Sequence, residues 1–170
     1  MSISQETRSA VRAAYAFRCG YCGLPETLAG SALEMDHFRP LRHGGTDSED
    51  NLVYACTTCN RFKGDYWPSS DAPNDFVLLH PRQNNVSAHI MLTSDGSVVG
   101  LTPRGWFHLR WLHLNRPQLV ELRRNLMTEQ GLRTSLAQSE KAQGELRQRV
   151  AELEAELAQL QSFIAQLISP

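Results

Sequence analysis

Two Cys-x-x-Cys pairs, Cys19 with Cys22 and Cys56 with Cys59, enclose an Asp36-His37 dipeptide and are followed at once by Asn60. Four thiolates in two such pairs suit tetrahedral zinc. Gly20 and Gly23 leave the first knuckle room to turn around an ion. Four sulfur ligands fill the coordination sphere and leave no place for substrate, so the expected ion is structural Zn²⁺. The alternatives are disulfides or free buried thiols. The N-terminus shows no basic segment followed by an apolar one, which points to the cytoplasm. A reducing compartment favours metal binding over disulfides.

The residues between the pairs suit a second chemistry. Hydrolysis of a phosphodiester needs an activated water and neutralisation of charge on the phosphate and the leaving oxygen. A histidine that titrates near its ordinary value of about 6.5 is a fitting general base, and His37 is the candidate. Asp36 offers a carboxylate oxygen and Asn60 an amide oxygen. These are hard ligands suited to a catalytic Mg²⁺ or Mn²⁺, an ion that retains several waters and needs few protein ligands. Arg61 and Lys63 follow Asn60 and are candidates for contacts to substrate phosphates.

The strings "CGYC", "MDHFRP", "GGTDSEDNLV" and "CTTCNRFK", over Cys19 to Lys63, resemble the HNH endonuclease family in its four-cysteine form. The eponymous letters fall on His37, Asn51 and Asn60, the last standing where the pattern has a second histidine. The resemblance implies a ββα-metal arrangement with the catalytic ion held between strand and helix. It implies that the first strand ends or twists at Asp36 and His37, so that these neighbours reach different partners. It makes Asn51 a structural member of the site, pinning the loop that positions His37. Residues 76–116 look like the tail of a subset of small bacterial HNH proteins.

The elements that must position these groups read as follows. Residues 4–17 have the apolar spacing of a helix, with Val11, Ala14, Tyr15 and Phe17 inward. Residues 32–38 and "LVYA" are short strands separated by a Gly- and Asp-rich loop, and "TTCNRFKGD" is a short helix ending near Gly64. Residues 66–88 carry three prolines and should wrap the surface. "HIMLTSDGSVVGLT" is a hairpin turning at Asp95-Gly96. "PRGWFHLRWLHLN" is a helix, with Trp106 and Trp111 expected in the core. Asn115 is a candidate N-cap for a helix starting near Pro117. His43 lies in the Gly-rich loop near the site; His80, His89, His108 and His113 read as packing or surface residues.

Leu146, Val150, Leu153, Leu157, Leu160, Ile164 and Leu167 keep an a/d heptad register. Leu119, Leu122 and Leu126 form a stripe out of phase with it, which suggests a helix break near Gly131. The expected fold class is therefore α+β: a zinc-stapled ββα-metal nuclease domain over residues 1–116, a connecting helix over 117–130, and a C-terminal α-helical coiled coil over 131–170. Valine and isoleucine at a with leucine at d favour a parallel homodimer through residues 146–167. The expected substrate is DNA, duplex rather than single-stranded. Net charge is −1, from 17 Lys and Arg against 18 Asp and Glu, which weighs against tight non-specific DNA binding. That charge leaves room for a non-catalytic zinc-bearing DNA-binding or adaptor module, or for a nuclease subunit delivered by a larger complex. No apolar run is long enough for a membrane span.

Overall fold

The computed structural model of the chain describes residues 3–168, with side chains through residue 164. Two compact units divide at Arg124 and Asn125. The first begins with α1 (Gln5–Ala14), capped by the Ser4 hydroxyl, which accepts from the Thr7 amide. Val11 and Tyr15 are its buried positions, while Phe17, expected inward, is half exposed just past the helix end. Ala16 and Phe17 both have positive φ, so the chain turns sharply from α1 into the first cysteine pair. The short α2 (Glu26–Ala29) follows. Its Glu26 carboxylate accepts from the Arg12 guanidinium at 2.5 Å and from the Tyr54 hydroxyl at 2.6 Å.

Strands β1 (Glu34–His37) and β2 (Leu52–Ala55) pair antiparallel, with Asp36 opposite Val53 and His37 opposite Leu52. Helix α3 (Thr57–Lys63) follows β2 directly, which completes strand, loop, strand and helix in that order. All four β2 side chains are buried. With Val11, Tyr15, Tyr21 and the cysteines they form the centre of the core. The alternation usual in a two-stranded ribbon is absent from β2, which packs against α1 and shares one core cluster with the cysteines.

Beyond residue 88, β3 (Ile90–Leu92) and β4 (Val98–Gly100) form the hairpin, which turns through Asp95 and Gly96. Helix α4 (Pro103–Trp111) packs against it, capped by the Thr102 hydroxyl. The approach is close: a Cβ on Gly105 would lie 1.9 Å from the His89 carbonyl oxygen. Asn115 departs from the capping role expected of it. Its amide both accepts from and donates to the Val98 backbone, at 2.8 and 2.7 Å, and so extends the β4 edge. Buried His108 accepts from the Leu79 amide at 3.0 Å through Nδ1, and burial lowers its pKa to about 3.

Helix α5 (Pro117–Ile168) runs without interruption through Gly131, where the sequence suggested a break. One glycine costs about 1 kcal/mol relative to alanine in a helix, too little to end one flanked by strong helix formers. Leu119 is buried and Leu122 partly so, within the first unit. In the second unit Leu146, Val150, Leu153, Leu157, Leu160 and Ile164 are all exposed. The side chain of Leu167 lies outside the described residues. Among the described residues no helix is long and apolar enough to cross a membrane.

Candidate active site and metal centre

The four cysteine sulfurs lie within 4.8 Å of one another, with Cys22 Sγ 3.8 Å from Cys56 Sγ. A tetrahedral ion with zinc–sulfur bonds of about 2.3 Å places its sulfurs about 3.8 Å apart, so the donor set fits Zn²⁺. The first knuckle is shaped by the Gly23 amide donating to the Cys19 carbonyl, and it is tied to β2 by the Gly20 amide on the Tyr54 carbonyl. The second opens α3: Cys56 is its N-cap, and the Cys56 sulfur accepts from the Cys59 amide. Crowding by the neighbouring sulfurs pushes the Cys22 and Cys59 thiols well above the usual range. A bound cation relieves that crowding by making thiolates the favoured state. Arg116 adds a guanidinium hydrogen bond to Cys59 Sγ at 3.5 Å.

A cleft of about 610 Å³ opens between β1 and α3, lined by Glu34, Asp36, His37, Asn60, Arg61 and Lys63 among others. Strand β1 ends at His37, which lets two consecutive side chains face one cleft. Asp36 is only 5 % exposed. Its carboxylate accepts from the Tyr21 hydroxyl at 2.5 Å and from the Lys63 ammonium at 2.9 Å. Burial pushes the Asp36 carboxyl up, and Lys63 and Tyr21 oppose the rise. His37 is half-buried, its Nε2 2.7 Å from Asp47 Oδ1. The Asn60 amide nitrogen donates to Glu34 at 2.6 Å, which leaves the amide oxygen as the acceptor that can meet a cation. Oxygens of Glu34, Asp36 and Asn60 are the donor chemistry that Mg²⁺ or Mn²⁺ prefers.

Asn51 lies outside the cleft. Its amide accepts from the Arg39 backbone N–H at 2.9 Å and donates to the carbonyls of Arg39 and Thr46 at 3.0 and 2.8 Å. These bonds cross the loop that carries Asp47. The loop is tight there: a Cβ on Gly45 would meet the Arg39 carbonyl oxygen at 1.8 Å. Arg61 is exposed at the cleft edge. Lys63 differs from the exposed phosphate donor that sequence position suggests. It is 1 % exposed, and its ammonium is held by Asp36 and the His37 carbonyl. The reason is helical geometry: Lys63 sits three residues from Asn60, on the face of α3 turned to β1.

Sequence reasoning missed three participants. Glu34 carried a signal, since it lies two residues before Asp36 on the same strand face. Asp47 is one of three acids in the loop and nothing in its spacing singles it out. Tyr21, between the first two cysteines, reads as knuckle filler yet donates to Asp36.

The family described as HNH endonuclease matches residues 19–66. Over 48 residues the chain is 46 % identical to the CRISPR-associated endonuclease Cas9 of Corynebacterium diphtheriae, an overlap of 28 % of this chain and 4 % of that protein. The chain thus corresponds to a small part of that relative's length. No solved structure matches. The match spans both cysteine pairs, β1, β2 and α3, and residues 19–66 are an HNH endonuclease domain.

Proposed function

We propose that this chain is a metal-dependent endonuclease that hydrolyses DNA phosphodiester bonds in the cleft between β1 and α3. The observation that carries the reading is the convergence of Asp36, His37 and Asn60 on one cleft inside an HNH endonuclease domain. Asp47 holds His37 Nε2 and leaves Nδ1 as the nitrogen that accepts a proton. The water oxygen then bonds to phosphorus, the bond to the leaving deoxyribose oxygen breaks, and that oxygen takes a proton from solvent. Asn51 positions His37 indirectly, by bracing the loop that presents Asp47. A Mg²⁺ or Mn²⁺ held by Asp36 and Asn60 supplies charge neutralisation at the phosphate and leaving oxygen. Each Asp36 oxygen keeps a lone pair beyond its present hydrogen bond, so the carboxylate retains capacity for a cation. Arg61 stands at the cleft edge as the phosphate contact.

Zinc-loaded protein is expected to cut supercoiled plasmid with Mg²⁺ or Mn²⁺, and His37→Ala to cut about 10²–10⁴-fold more slowly. Equal cutting by both proteins rules out His37 as base. No cutting by the parent favours the alternative, an adaptor module or a subunit that a larger complex delivers. Near-neutral charge supports that alternative, because a partner would then supply the affinity for DNA.

The exposed stripe from Leu146 to Ile164 supports a parallel homodimer in which Arg149 faces the partner's Glu154. Two active sites on one duplex would cut both strands. Replacing Leu153 and Leu157 by glutamate is expected to halve the mass measured by sedimentation equilibrium and to turn linearised plasmid into nicked circles. An unchanged mass would end the dimer reading.

A further inference from the structure

A second cleft, of about 570 Å³, shares none of the residues that line the catalytic one. Phe62, Phe76, Trp106 and Trp111 line it with Arg110 and His113, and no acidic side chain contributes to its wall. Trp106 is 49 % exposed and Trp111 and Phe76 are exposed as well, contrary to the core positions expected for the two tryptophans. They face outward because Gly105, Leu109 and Leu112 take the buried side of α4 and the turn after it.

The rings of the wall are held by tilted aromatic contacts, to one another and to Tyr66 beside them. Tyr66 lies 4.2 Å from Trp111 between ring centroids, and Phe62 lies 4.3 Å from His113 at an interplanar angle of 30°. His113 holds its place with φ +48°, a left-handed conformation that usually goes to glycine at the end of a helix. The two clefts are physically joined. Phe62 lies between cleft residues Arg61 and Lys63, and Trp111 Nε1 donates to the Lys63 carbonyl at 3.4 Å.

We infer that this aromatic cleft binds a single-stranded segment of nucleic acid by stacking its unpaired bases, with Arg110 contacting the phosphates. Every base has a π-face, and aromatic rings beside a cation match such a strand without reading its sequence. A duplex offers no free base face to the cleft. The substrate class that engages both clefts is duplex DNA with unpaired nucleotides next to the scissile bond, such as a flap, bubble or junction. This narrows the endonuclease reading proposed above and rests on it for the substrate, while the binding site stands on its own lining.

The test uses full-length, zinc-loaded His37→Ala protein, which binds without cutting. Labelled oligothymidine of about 15 nucleotides is compared with an abasic phosphodiester strand of the same length, by anisotropy and by quenching of tryptophan fluorescence. Oligothymidine is expected to quench the tryptophans and to bind about ten-fold more tightly than the abasic strand. Adding Trp106→Ala should cost about ten-fold in affinity for oligothymidine and leave the abasic strand within about two-fold, and Trp106→Tyr should restore most of the loss. Arg110→Gln should weaken both strands and lower the salt slope by about one. Circular dichroism and zinc content verify that each variant is folded. Equal affinity for the two strands, or no response to Trp106→Ala, overturns the inference. If the parent cuts no DNA yet oligothymidine binds as described, the cleft stands and the nuclease reading falls. If plasmid is cut and the two strands bind alike, the cleft falls alone.

Discussion

Removal of zinc is expected to unfold the first unit outright, because no other interaction there can replace it. Three of the four cysteines are buried members of the core. They fix the turn after α1, the end of β2 and the start of α3 around one point. Without the ion the same point holds four sulfurs in mutual contact, with the Cys22 and Cys59 thiols pushed up by their neighbours, the Cys19 and Cys56 thiols pushed down, and Arg116 directed at Cys59. Structural zinc contributes about 10–16 kcal/mol of apparent binding free energy at neutral pH. A domain of this size has a total stability of about 5–15 kcal/mol, so the ion decides whether it folds. A chelator strong enough to strip the ion, or Cys59→Ser, should abolish the near-ultraviolet circular dichroism and the cooperative melt. Helical far-ultraviolet signal from residues 125–168 should persist in part. A melt left unchanged after mass spectrometry shows the metal gone would remove the ion from the account of the fold.

The parts of the site that sequence made readable are those where one residue type is nearly the sole solution. Paired cysteines at two-residue spacing have few uses in a reducing compartment. The order of short strand, Gly-rich loop, short strand and helix is enough to bring His37 and Asn60 near each other. What stayed hidden depends on which way a helix face turns. Lys63 sits on the same face of α3 as Asn60, and that face is buried against β1, so a residue read as a surface cation became an interior one. Trp106 and Trp111 went the opposite way, because the small and aliphatic residues of α4 filled the interior. Asp47 could not be singled out among its acidic neighbours, since its position follows from how Asn51 folds the loop and not from its own spacing. The continuity of α5 through Gly131 follows from a balance of propensities over many residues, in which one glycine is outweighed.

Lys63→Met is expected to cost the zinc-loaded protein about 3–5 kcal/mol of stability, the range for removing one member of a buried ion pair. The magnitude comes from what is left behind: Asp36 would remain 5 % exposed with only the Tyr21 hydroxyl as partner. Met matches the length of the lysine stem, so the loss is one of charge and hydrogen bonding rather than of volume. The effect should depend on pH. With Lys63 gone, only Tyr21 and the neighbouring His37 oppose the upward push of burial, so the native Asp36 carboxyl takes up its proton at higher pH than the unfolded one. A group whose native pKa is raised contributes stability at pH below the ordinary value of 3.8 and loses it as pH rises through the native value. The variant should therefore sit closer to the parent at pH 5 than at pH 8. Replacing both partners, with Lys63→Met and Asp36→Leu, should recover most of the loss, because two apolar groups leave no buried charge. Neither variant should cut DNA at the parent rate: the first lets go of the His37 carbonyl and the second removes the carboxylate. Urea denaturation at the two pH values separates this from the reading in which Lys63 serves the substrate. A surface phosphate contact would leave stability within about 0.5 kcal/mol and would lower only the salt slope of DNA binding, by about one.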